Sequence, residues 1–113
     1  MWRVVFAGVA LLMGASAQTA GWWTQWFDIS DNVNGHDSEL LEDIRRFYPT
    51  AVCEKPSDIQ VQTVDGVALA DTGQAIHAMG PLIGFECFDT DQAGYPFHIP
   101  CYDYEVRFFC LPG

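Results

Sequence analysis

The chain has 113 residues, 50% of them apolar, and 5 Lys+Arg against 15 Asp+Glu give a formal net charge of -10. That apolar fraction excludes wholesale disorder, and the length allows one domain, or one domain and a processing segment. The acidity argues against nucleic acid and anionic membrane surfaces as partners, because both demand a basic face.

Residues 1–17 have the three-part layout of a secretory signal peptide. Met1-Trp2-Arg3 carries one positive charge, residues 4–13 are apolar apart from Gly8, and Ala15-Ser16-Ala17 places small residues where a signal peptidase reads them. The apolar run is half the length that a membrane-spanning helix needs, so no membrane insertion is expected. The expected mature domain is residues 18–113, with Arg3 lost and four basic side chains left against fifteen acidic ones. Cys53, Cys87, Cys101 and Cys110 all lie within it. An even number of cysteines in a small exported domain reads as a disulfide framework, and four cysteines leave three pairings open. Zinc is disfavoured because the gaps between successive cysteines are far longer than a Cys-x-x-Cys ligand pair.

Along the mature chain, Gly21-Trp22-Trp23-Thr24-Gln25-Trp26-Phe27 is short and aromatic, and it reads as a buried strand. On a regular strand Trp23 and Trp26 would point to opposite faces, and both are expected in the core. Residues 28–37 are dense in turn formers and side-chain oxygens. A helix is expected next, capped by Asp37 or Ser38, with Glu39 and Glu42 in its early turns and Leu40, Leu41, Ile44 and Phe47 on one face. Pro49 ends it. Ile59, Val61 and Thr63 alternate with glutamines as in a half-buried strand, and Asp65-Gly66 and Asp71-Thr72-Gly73 signal turns. Short strands are expected over 74–78 and 82–88, separated by Gly80-Pro81 and followed by a second acidic loop over 89–94. The segment 102–110 is the clearest strand, with Tyr104, Val106 and Phe108 on one face. The expected fold is a small β-rich (α+β) single domain, antiparallel and β-sandwich-like, with one early helix and disulfide staples.

These segments, taken in order, resemble the WxxW domain, the cysteine domain found between mucin repeats and also in the cartilage intermediate layer branch. The likeness rests on Trp23-Thr24-Gln25-Trp26-Phe27-Asp28, Gly35-His36-Asp37-Ser38-Glu39, Ile44-Arg45-Arg46-Phe47-Tyr48, Val52-Cys53 with Pro56, Gly84-Phe85-Glu86-Cys87, Asp91-Gln92, and Tyr104-Glu105-Val106-Arg107-Phe108-Phe109-Cys110. It spans about residues 22–110. Mucin versions carry more cysteines, and the four retained here look like the cartilage-branch set. No Ser/Thr/Pro-rich tract suited to dense O-glycans accompanies the module. The resemblance implies C-mannose on Trp23.

The oxygen-rich loop invites calcium, a hard cation that takes carboxylate and carbonyl ligands. Asp28 and Glu39 have the first-to-last spacing of an EF-hand loop, but Val33 stands where that loop needs glycine and the preceding segment is not helical. A different oxygen-lined site is expected from Asp28, Asp37 and Glu39, with Asp91 as a distant member; the mucin relatives implied by the resemblance are described as calcium-binding. His36, His77 and His98 are scattered, and Asp89/Asp91 and Asp103/Glu105, candidate carboxylate pairs in principle, read as solvated loop or edge-strand groups, so no catalytic constellation emerges. The leading reading is a secreted, non-catalytic matrix or mucus module that contacts an extracellular protein or glycan. Calcium stabilisation and homodimerisation belong to that reading. The competing readings are a small secreted hydrolase using Asp89, Asp91 and His98, and a secreted defence effector, against which the acidity counts.

Overall fold

The C-terminal alternation organises the molecule. In the computed structural model, which describes residues 20–30, 35–95, 97 and 99–112, the described residues form β1 (Trp22–Trp23), β2 (His36–Leu40), α1 (Leu41–Phe47), β3 (Asp58–Thr63), β4 (Ala78–Gly80), β5 (Gly84–Phe88) and β6 (Tyr104–Cys110). Segment 1–17, expected to be a signal peptide, Val33 and His98 lie outside the described residues. Strand β6 sits at the centre of one antiparallel sheet, ordered β1-β6-β3, and β5 at the centre of the other, ordered β2-β5-β4. This is the β-rich α+β architecture expected from the sequence.

The period-2 pattern of β6 turns Tyr104, Val106, Phe108 and Cys110 inward, and each is fully buried. Val61 and Thr63 of β3, Phe85 and Cys87 of β5, Leu41 and Ile44 of α1, and Phe27 pack with them as buried residues. The two sheets meet where Phe85 packs on Tyr104, ring centroids 4.8 Å apart, and where the Tyr104 N–H donates to Asp37 Oδ2 at 2.9 Å. Two disulfides brace the ends. Cys53–Cys110 joins the loop after α1 to the end of β6, and Cys87–Cys101 joins β5 to the approach to β6.

Three local expectations fail. The helix does not begin at Asp37. Residues 36–40 instead pair with all five residues of β5, and α1 starts only at Leu41, with no side-chain cap. Cap-forming side chains are a local signal, and a five-pair ladder to a strand 44 or more residues later overrides it. Gly84 permits that ladder to end tightly: at φ +102° it lies so close to β2 that an added Cβ would sit 2.3 Å from the Glu39 carbonyl oxygen.

The aromatic segment likewise departs from a buried strand. Trp23 pairs with Phe109 and Phe27 with Val106, so three residues on one side oppose two on the other. That is a one-residue bulge. The side chain of Thr24 is buried at it; its hydroxyl oxygen accepts the Phe108 N–H at 3.0 Å. The extra residue shifts the alternation, so Trp23 and Trp26 emerge on the same outer face rather than in the core. The short strand expected over 74–78 forms instead at Ala78–Gly80. Gln74 is taken by other bonds: its Oε1 accepts the Tyr104 O–H at 2.6 Å and the Tyr102 N–H at 3.0 Å.

Candidate functional site

Because residues 36–40 are strand and not helix, Asp37 and Glu39 lie two apart on the inward face of β2, and both are 0% exposed. Asp28 leaves the Phe27–Val106 bridge toward the same spot, and Asp103 reaches it from the residue before β6. One carboxylate oxygen from each of Asp28, Glu39 and Asp103 lies within 4.8 Å of the others, with Asp28 at the solvent side. The loop closes over Glu39: its Oε1 accepts the Ile29 N–H at 2.7 Å and its Oε2 the Ser30 N–H at 3.3 Å. The Ser30 hydroxyl donates to the Ser38 carbonyl at 2.7 Å and accepts the Ser38 N–H, which pins the loop to the open edge of β2.

The electrostatics of Glu39 are in conflict. Burial, with the charges of Asp37 and Asp28 adding to it, raises its pKa from 4.5 to about 9, against the two backbone N–H bonds that favour the carboxylate. Both oxygens accept N–H bonds, an arrangement that suits the charged carboxylate. A hard cation among the three groups would relieve the desolvated charge and the mutual repulsion together, and the all-oxygen donor set suits calcium or magnesium rather than a soft metal.

Of the residues anticipated as ligands, Asp28 and Glu39 converge, and Asp37 lies beside them with one oxygen committed to the Tyr104 N–H. Asp91 does not join the group. It stands on a 3-10 turn at Asp89–Asp91 with its Oδ2 3.6 Å from His77 Nδ1. Asp103 takes the third place. In the sequence it stands out only as a neighbour of Glu105, and nothing local ties it to residues 64 or more positions earlier. Asp89, offered for hydrolysis, accepts the Cys101 N–H at 2.9 Å and so orders the second disulfide loop.

The other distinctive surface is the outer face of the β1-β6-β3 sheet. The Arg107 guanidinium carbon lies 4.7 Å from the Trp23 ring centroid and 4.6 Å from that of Trp26, so the W-x-x-W pair embraces a cation. Phe109 packs on Trp23 at 5.1 Å, and the Arg107 Nε–H donates to Gln60 Oε1 at 2.7 Å. Trp23 remains 37% exposed. Replacing Arg107 with alanine removes two cation–π contacts, for an expected loss of about 1 kcal/mol at this half-exposed position. In a domain of this size that lowers Tm by about 4–8 °C. Thermal melting followed by indole fluorescence checks it, and an unchanged emission spectrum would contradict the stacking.

A family model described as "Mucin-2 protein WxxW repeating region" matches residues 23–110. The chain is 36% identical over 98 residues to cartilage intermediate layer protein 1 of Mus musculus, covering 87% of this chain and 8% of the relative. It is 35% identical over 88 residues to the cell migration-inducing and hyaluronan-binding protein of Mus musculus, covering 78% of this chain and 6% of that protein. It is 33% identical over 103 residues to mucin-5B of Homo sapiens, covering 87% of this chain and 2% of the mucin. The chain therefore spans less than a tenth of the length of these curated relatives.

Proposed function

The chain belongs to the WxxW family, and on that premise we propose that it is a disulfide-braced extracellular module that works by binding, in matrix or mucus, with a calcium ion holding its loop. The observation that carries the calcium reading is the convergence of Asp28, Glu39 and Asp103 around a buried Glu39 that burial and like charges oppose ionising. Calcium supplies the positive charge this group lacks and would tie the loop over 28–30 to β2 and to the start of β6. Millimolar extracellular calcium is enough for a weak site.

Names among the relatives, cartilage intermediate layer and mucin, support a matrix or mucus setting, and two disulfides suit an oxidising compartment. Secretion through residues 1–17, C-mannose on Trp23 and homodimerisation belong to the same reading; the half-exposed indole supports the second. Calcium titration by calorimetry tests the core of the proposal. The disulfide-bonded protein is expected to bind one calcium, Asp28→Asn to weaken binding about tenfold or more, and Glu39→Gln to abolish it. Equal affinity in all three proteins would overturn it. Light scattering with and without calcium tests self-association, and intact mass of the exported protein reads both cleavage and a hexose.

A further inference from the structure

A cleft of about 550 Å³ opens beyond the end of β3, apart from the outer tryptophan face. Its walls include Val64, Val67 and Tyr102, each more than a third exposed, and its rim carries Asp65, Asp71 and Asp103. The volume is that of a small-ligand cleft. The Asp65 side of the rim is held in place: the Thr63 hydroxyl donates to Asp65 Oδ1 and accepts the Val67 N–H at 2.9 Å. Tyr102 is fixed from behind by its N–H bond to Gln74.

Among the described residues, the cleft has three carboxylates and no basic side chain in its lining. The arginines of the described residues are engaged elsewhere. Arg45 donates to the Cys53 and Glu54 carbonyls, Arg46 pairs with Glu42 and Asp43, and Arg107 lies between the tryptophans. Asp65 and Asp71 join no group of three converging ligand atoms among the described residues, so their charge is spread along a rim and not focused on a point ion. Spread carboxylates over apolar walls, with one exposed aromatic, match a long cationic side chain, whose stem lies on valine and whose planar head meets tyrosine and carboxylate.

We propose that this cleft is a docking site for a basic segment of a partner protein, with one arginine side chain seated between Tyr102 and the Asp65–Asp71 rim. The net charge of -10 steers such a partner toward the chain, and raised salt weakens the complex. Asp103 is shared with the carboxylate group, and the Asp65–Asp71 rim that seats the arginine stands whether or not that group holds calcium.

The test uses the full disulfide-bonded chain in about 1 mM calcium. The probe is a fluorescein-labelled nonapeptide of three Gly-Arg-Ser repeats, with the Gly-Glu-Ser version as control, read by anisotropy. The arginine peptide is expected to bind and the acidic one not. Asp65→Asn combined with Asp71→Asn should weaken binding about tenfold, and Tyr102→Ala by a similar factor. Glu54→Gln combined with Asp58→Asn removes the same charge outside the cleft and should leave affinity within about twofold. Asp103 is left intact, so a loss cannot come from the calcium group. Amide shifts of Val64, Val67 and Tyr102 in the unmodified protein give a second readout that no folding defect can imitate. Equal losses in the two double variants, no loss in the cleft variant, no binding, or the same amides moving with a hyaluronan fragment and not with the peptide would each overturn the proposal.

Discussion

Glu39→Gln is expected to flatten the pH dependence of stability in the calcium-free protein and to remove its response to calcium. The folded-state pKa of Glu39 is raised from 4.5 to about 9, so the folded protein keeps a proton that the unfolded chain releases. The stability linked to that proton is fully present below about pH 4.5 and is lost as pH rises toward about 9. With calcium chelated, the unmodified protein should therefore soften steadily across neutral pH, whereas the glutamine variant, which has no proton to lose, should not. Calcium reverses the situation because it stabilises the carboxylate. Its binding near pH 7 is expected to release about one proton, measurable by calorimetry in buffers of different ionisation enthalpy. At a hundredfold excess over Kd the ion should stabilise the unmodified protein by about 2.7 kcal/mol, a Tm gain of about 10–20 °C. The variant should gain nothing, and an equal gain in both proteins would remove Glu39 from the site.

The second large effect is expected at the Cys53–Cys110 bridge. Its cysteines are 57 residues apart in sequence, against 14 for Cys87–Cys101. Chain-entropy arguments assign about 4 kcal/mol to closing the longer loop and about 3 kcal/mol to the shorter. Either is a large share of the roughly 5–15 kcal/mol available to a domain. Cys110 is also fully buried at the end of the central strand, beside Phe108 and Val106, so the bridge fixes the most deeply packed element. Replacing Cys53 and Cys110 together with alanine should lower the urea midpoint more than replacing Cys87 and Cys101. It should also raise the m-value, because the released unfolded chain exposes more surface. The opposite ranking would mean that local order in the 87–101 loop, set by the Asp89 and Gln92 bonds, outweighs loop entropy.

Both predictions turn on features of unequal legibility in the sequence. The four cysteines announced a disulfide framework, but their pairing was open until the strands placed Cys53 against the end of β6. The acidic loop announced oxygen ligands. The third member of the carboxylate group, Asp103, was hidden, because proximity to Asp28 and Glu39 arises only when β6 crosses beside β2. Asp91 looked equivalent in the sequence and ends beside His77. The W-x-x-W spacing pointed to the family, yet its physical meaning needed the bulge at Thr24, which no local preference encodes.

By itself the sequence determined the features that short-range periodicity and composition carry. The alternation of β3 and β6, the glycine and aspartate turns, the β-rich class, the family and the even set of cysteines are all of that kind, because side-chain period and turn chemistry act over a few residues. Only the tertiary structure decided which of two locally acceptable states residues 36–40 adopt, on which side the tryptophans emerge, and which carboxylates meet. Those outcomes depend on ladders and bridges between segments tens of residues apart, whose free energy exceeds the small local preferences that would otherwise have made Asp37 a helix cap.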